Sequence, residues 1–272
     1  MLALPIASPS NAWRVAAASG IGAATAQLAL TRFFEGRSDD VRSEAPAFFA
    51  YNVISGLLMA AAALIGTASL LPHSAWPATA AARLVEPCGT ARWLTAFLLG
   101  ELVLWDLPCA LFIPELRKPD MIAHHVVMAF VAWMVIGPAP IWYACFYFGL
   151  SEISSVPLAV WTHYSRCVEL LKAKAASASA SALARCEAIR DASQALGAAL
   201  FVVIRGILFP CVTVAGLLPD VRSVIGSGAA AGQLALWLRM HAALGLAFSA
   251  LQLYWLLEVF RVVAGMIGQG AE

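Results

Sequence analysis

Long apolar runs separated by short polar stretches set the pattern of this chain. Seven runs stand out, at residues 13–34, 46–71, 93–114, 121–137, 140–161, 197–218 and 233–264. A helix needs about 20 mostly apolar residues to cross the hydrocarbon core of a bilayer. The runs are continuous and rich in Ala and Leu. A membrane-spanning barrel would instead alternate in segments of about 10 residues. In lipid every backbone amide must be satisfied internally, which leaves helices. The run at 121–137 is short and suits a helix with little tilt. The run at 13–34 is the weakest, because SGIGAATAQLA is dominated by small residues. It lacks a basic leader and is long for a cleaved signal, so it is read as a retained helix. The expected fold is therefore all-α, a polytopic membrane bundle of about seven transmembrane helices. Residues 1–45 form an N-terminal region with the extra helix, 46–265 the main domain and 266–272 a short tail.

Composition strengthens this reading. Of the 272 residues 61% are hydrophobic and 12% charged, with a mean hydropathy of +0.80. A soluble domain carries about 25% charged residues. Half that charge cannot cover a water-facing surface of this size, so the excess apolar surface faces lipid. The net charge of +1 and the thinly spread basic residues give no basic face for nucleic acid. The six cysteines are scattered without a C-x-x-C pair and read as small packing residues, not as a metal site.

Lys and Arg in the loops predict the orientation. The segments after the first, third, fifth and seventh runs carry eleven, among them Arg117, Lys118, Arg166, Lys172 and Lys174. The other side carries four: Arg14, Arg83, Arg92 and Arg222. The bias places the N-terminus in the lumen and the C-terminus in the cytosol. Several tryptophans, including Trp13, Trp76, Trp93 and Trp161, fall near predicted helix ends, where interfacial aromatics belong. The longest cytosolic loop spans residues 162–196; it lacks Pro and Gly over most of its length and is expected to form a solvated or interfacial helix packed on the bundle. No internal repeat is visible, which counts against an inverted-repeat transporter.

Ionisable residues inside spans are costly and usually functional or paired. Here they are Glu101, Asp106, His124, His125, Glu152, Arg205, Arg239, His241 and Glu258. A rise of about 1.5 Å per residue puts His124 and His125 roughly 6 Å inside the cytosolic end of the fourth helix. Asp106 comes out roughly 12–15 Å inside the third. The short connection ELRKPD makes these helices antiparallel neighbours. Asp106 and the His pair can thus face one cavity, with Glu152 and Arg205 as candidates to complete the cluster. Adjacent helix positions point about 100° apart, so the two imidazoles cannot share one small metal; one faces the cavity while the other packs. A buried imidazole beside a carboxylate can serve as general base or nucleophile. A His that only ties two helices together is an equal alternative. Glu258, Arg239 and His241 are expected to meet headgroups, and Glu101 to snorkel or to pair with Arg239 or His241.

Five ordered motifs carry a family resemblance: WDLPCALF, MIAHHVV, GLSEISSVPL, FVVIRGILFP and LQLYWLLEVFRVV. The chain resembles the TLC-domain family, which includes the ceramide synthases, from about residue 52 to residue 261. The resemblance implies a six-helix TLC core in the endoplasmic reticulum or a related endomembrane, enclosing an apolar cavity for acyl or sphingoid chains. It implies that His124, His125, Asp106 and Glu152 correspond to catalytic positions of the ceramide synthases. Arg205 corresponds to a recurrent arginine. The stretch after His125 lacks the further acidic residues of those enzymes, and no homeobox-like region precedes the domain. The chain is thus closer to the shorter branch of the family, linked to lipid homeostasis. Two functions are expected: a lipid-binding protein of membrane lipid homeostasis, or an acyl-CoA-dependent lipid N-acyltransferase. Arg117 and Lys118 would then meet CoA phosphates. Membrane lipids are the expected partners, with acyl-CoA as a substrate of the enzyme reading. No cofactor, metal or nucleic acid is expected. Ala242, Ala243, Gly245 and Ala247 would allow close approach of a second helix in an oligomer.

Overall fold

A computed structural model describes residues 9–71, 76–137, 139, 141–174 and 179–269. Among these residues the chain is 87% helical, with no strand and seven helices, six of them long and apolar enough to cross a membrane. The helices are α1 (Pro9–Glu35), α2 (Pro46–Leu70), α3 (residues 89–112), α4 (Pro119–Ile136), α5 (Ala144–Ala173), α6 (Ala180–Gly226) and α7 (Gly232–Gln269). Pro46 and Pro119 stand at the first positions of α2 and α4. There the missing N–H leaves no bond unmade. His73, in the connection after the second apolar run and expected at the membrane interface, lies outside the described residues.

The small residues of α1 have a packing purpose. A Cβ added at Gly20 would sit 2.3 Å from the Gly100 carbonyl oxygen, and one at Gly100 would sit 1.7 Å from that of Ala16. The backbones of α1 and α3 therefore touch, and Ser19 Oγ donates to the Phe97 carbonyl across the crossing at 2.7 Å. Below it the buried Gln27 donates to the Ala47 carbonyl of α2 at 2.8 Å and accepts from the Trp105 indole at 3.3 Å. α1 is thus bonded to both α2 and α3, although it is not among the six helices that qualify as spans.

Three helical segments widen to π geometry: Leu102–Asp106 in α3, and Phe201–Leu208 and Val212–Leu217 in α6. Each is followed two residues later by a proline: Pro108, Pro210 and Pro219. A proline ring clashes with the carbonyl four residues upstream and offers no N–H. The wider turn gives that carbonyl room. The N–H groups of Leu107, Phe209 and Leu218 accordingly reach back five residues, to Leu102, Ile204 and Thr213.

Two expectations need correction. The fifth span, read as a helix over residues 140–161, is offset along the chain. It opens with a short turn at Ala144–Tyr147 and a 3₁₀ turn at Leu150–Ser154, and regular α-helix runs only over Ser155–Ala173. Pro157 explains the start: in the first helical turn its missing N–H is harmless, but further in it would break the helix. Gly149, just upstream, touches Gly66 of α2 backbone to backbone. The segment 162–196 is likewise no separate loop helix. α5 continues to Ala173 and α6 begins at Ala180. The 47 residues of α6 rise roughly 70 Å, far beyond a hydrocarbon core of about 30 Å. The polar first half of α6 therefore projects from the bundle beside the end of α5, tied to it by Lys172–Glu187 at 2.8 Å. The small residues of α7 are divided: Ala242 and Gly245 are buried, with Gly245 against Leu217 and Thr213 of α6, while Ala243 and Ala247 face outward.

Candidate functional site

α4 is buried only in its second half, at Ala129, Ala132, Met134, Val135 and Ile136. Its first half, with the His pair, is half-buried. The π turn of α3 ends at Asp106, which is 3% exposed. Oδ2 of Asp106 lies against Nδ1 of His125, and Oδ1 accepts from the Tyr51 hydroxyl of α2 at 2.6 Å. Tyr51 in turn stacks on Trp105, the indole held by Gln27. Three helices thus converge on one carboxylate.

His124 turns the other way. Its ring packs edge-on to Phe248 and Trp255 of α7, with both centroids 5.4 Å away. Its Nδ1 is buried without a hydrogen-bond partner among the described residues. The two imidazoles thus point apart, His125 to the Asp106 carboxylate and His124 to the rings of α7, and neither lines the cavity that one of them was expected to face.

Glu152 and Arg205 form a second buried ion pair at 3.3 Å. Glu152 comes from the 3₁₀ turn of α5 and Arg205 from the first π segment of α6. Arg205 also donates through Nε to Ser154 at 2.9 Å and through Nη2 to Ser155 at 2.8 Å. Ser155 donates to Glu152 at 2.6 Å. Asp106 and Arg205 both sit in π turns, a feature that recurs at functional sites.

Arg117 and Lys118 stand apart from this cluster, exposed in the connection between α3 and α4. Arg117 donates to the Leu111 carbonyl at 2.8 Å and so closes the end of α3. Arg239 is exposed, and Glu258 pairs with Arg261 one turn on. His241 and Glu101 differ from expectation. His241 is 3% exposed and Glu101 2% exposed. Neither meets headgroups, and Glu101 makes no ion pair with Arg239 or His241 among the described residues. Its Oε2 has no hydrogen-bond partner among the described residues.

Sequence reasoning missed Tyr51, Ser154 and Ser155 as parts of the site. A hydroxyl one turn from a span's end carries no signal by itself. The two serines lie inside the motif GLSEISSVPL, where a small hydroxyl next to an acidic residue gives no signal of its own.

Beside the face of α7 that packs on His124 lies a small, partly open apolar cavity of about 40 Å³ between α4, α5, α6 and α7. Met128, one turn beyond His124, and Phe248, which touches His124, line its upper part. His241 lines it further along α7. Among the described residues no group of three or more His, Cys, Asp or Glu is arranged to hold a metal ion.

A family model described as a TLC domain matches residues 49–261, well over half of the chain. No curated protein and no solved structure matches.

Proposed function

This chain belongs to the TLC-domain family, and from that premise we propose that it seats an acyl or sphingoid chain in its intramembrane cavity and thereby acts in membrane lipid homeostasis. The family and the six apolar helices make it a multi-pass membrane protein of lipid metabolism or homeostasis. The observation that carries the finer reading is the apolar cavity abutting His124 and lined by Met128, Phe209 and Phe248. Apolar lining with few polar groups is what a lipid tail requires. The endoplasmic reticulum or a related endomembrane is the proposed site of action. Quantitative lipid analysis of cells lacking the gene, complemented with the wild type at matched expression, tests this. Restoration of a defined lipid class supports it, and an unchanged profile overturns it.

One observation favours a second, catalytic reading: the contact between Asp106 and His125. With Nδ1 on the carboxylate, Nε2 of His125 is the nitrogen left to act as a base. In an N-acyl transfer, Nε2 would take the proton of a lipid amine as its nitrogen attacks an acyl-CoA thioester carbonyl. The C–S bond breaks, and the imidazolium returns the proton to the departing CoA thiolate. The products are an amide and free CoA. Arg117 and Lys118, exposed beside α3 and α4, are the proposed contacts for CoA phosphates. Purified protein incubated with acyl-CoA and a long-chain amine distinguishes the readings: amide that appears with wild type and not with His125→Ala supports catalysis.

A further inference from the structure

The cavity between α4, α5, α6 and α7 carries a polar atom that an unmodified hydrocarbon tail leaves unused. Of its twelve lining residues only Tyr147 and His241 have polar side chains. The Tyr147 hydroxyl is engaged with Thr213 Oγ1 at 2.9 Å. His241 is 3% exposed, and its Nδ1 lies 3.0 Å from the Trp237 carbonyl one turn earlier. A carbonyl only accepts, so Nδ1 must carry the proton and donate it. In the neutral ring the other nitrogen is then an acceptor. That atom, Nε2, is fully buried and has no hydrogen-bond partner among the described residues. A buried polar atom left unpaired is costly, and most in folded proteins find a partner.

We propose that the cavity is a site for a long-chain lipid bearing a hydroxyl partway along its chain, with that hydroxyl donating to Nε2 of His241. The inference rests on the reading of the cavity as a lipid-chain site and adds the chemical class of the chain. The tautomer selects the ligand: Nε2 takes an O–H donor and rejects a carbonyl or ether oxygen, which brings only lone pairs. Geometry adds a position. Phe248, against His124, and His241 are seven residues apart on α7, a rise of roughly 10 Å. The hydroxyl should therefore lie about that far beyond the part of the lipid held at the His pair.

Displacement of a bound fluorescent long-chain fatty acid from the purified full chain in nanodiscs tests this. The competitors are a saturated fatty acid and its mono-hydroxylated analogues of equal length, with the hydroxyl moved along the chain. Wild type should prefer one narrow range of hydroxyl positions over the unsubstituted acid by about tenfold. His241→Phe should lose that preference and still bind the unsubstituted acid. His241→Gln, which keeps an acceptor, should retain part of it. A flat profile across hydroxyl positions in wild type overturns the inference whether or not His241→Phe folds. So does a preference that survives in His241→Phe. Failure of every fatty acid, hydroxylated or not, to displace the probe overturns the lipid-cavity reading as well, so the two failures are distinguishable.

Discussion

His125 presents Nδ1 to Asp106, while its sequence neighbour His124 turns to Phe248 and Trp255. The tandem pair is therefore two residues with different tasks, and substitutions should separate them. Phe can replace His124 in its aromatic surroundings, because ring packing is what the site uses. His124→Phe should fold and restore the lipid profile of cells lacking the gene. His125→Phe and Asp106→Asn should fold and fail to restore it. If the chain is an acyltransferase, these two should lose about 10²–10⁴-fold in rate, the usual contribution of a positioned base. A His124→Phe variant as inactive as His125→Phe would refute this division of labour.

Tyr51 supports the same carboxylate from the opposite side at 2.6 Å. Tyr51→Phe removes one hydroxyl and leaves the ring stacked on Trp105. A hydrogen bond to a charged group contributes about 1.5–3 kcal/mol. The variant should show a lower thermal unfolding midpoint in detergent and a smaller functional loss than Asp106→Asn. An unchanged midpoint would mean that the hydroxyl is not supporting Asp106.

The pair Glu152–Arg205, with both side chains close to nine-tenths buried, predicts an asymmetric mutational pattern. Removing one partner of a buried pair strands the other charge, at a cost of about 3–5 kcal/mol. Arg205→Met should therefore express poorly and unfold early. The double variant Glu152→Gln/Arg205→Met removes both charges and should recover much of that loss, because paired burial itself is often near neutral. Thermal unfolding of the three proteins in one detergent measures the coupling. A double variant as unstable as the single would show that Ser154 and Ser155, not the ion pair, are what Arg205 stabilises.

The crossing of α1 on α3 makes a third structural case. A Cβ at Gly100 would fall 1.7 Å from the Ala16 carbonyl oxygen, so Gly100→Ala must push the helices apart. Overpacking of this kind costs about 1–3 kcal/mol. It also loosens Gln27, and through it Trp105, one residue before Asp106. Limited proteolysis should cut residues 9–35 faster in Gly100→Ala than in wild type. Gly22→Ala, where an added Cβ meets nothing within 4 Å, serves as the control and should behave as wild type.

The membrane bundle was legible because apolar runs of spanning length have few other meanings. The link of Asp106 to the His pair followed from a short connection between two helices. The division between His124 and His125 followed from the 100° between adjacent helix positions. What escaped depends on contacts between distant segments or on local backbone departures. Tyr51 reaches Asp106 across 55 positions of sequence. The π turns follow from prolines whose consequence lies upstream, and the periodicity of an entirely apolar helix does not show a widened turn. His241 was read as interfacial from its distance to the helix end, but its burial is set by the neighbours of α7 rather than by depth.

The loop between α1 and α2 offers a pH dependence outside the membrane. Asp40 caps the 3₁₀ turn Val41–Glu44, accepting from the Arg42 backbone N–H at 2.9 Å, and its carboxylate pairs with the Arg42 side chain at 2.5 Å. The Arg42 guanidinium lies over the Phe34 ring, 5.1 Å from its centroid. The side-chain hydrogen bond from Arg42 holds the Asp40 carboxyl below the usual carboxylate range, against the opposing effect of burial. A group whose pKa is lower in the folded state stabilises that state above its unfolded value, and the contribution is lost as pH falls through the folded one. At neutral pH the cap should therefore be intact. Amide hydrogen exchange at residues 36–45, corrected for the intrinsic pH dependence, should show protection that is constant from neutral pH to mildly acidic pH. Protection should fall once pH drops below the ordinary range of an Asp carboxyl. Asp40→Asn should remove this acid step, because Asn keeps a cap acceptor but has no proton to gain. An acid step of the same size in Asp40→Asn would assign it to another carboxyl and refute the role given to Asp40.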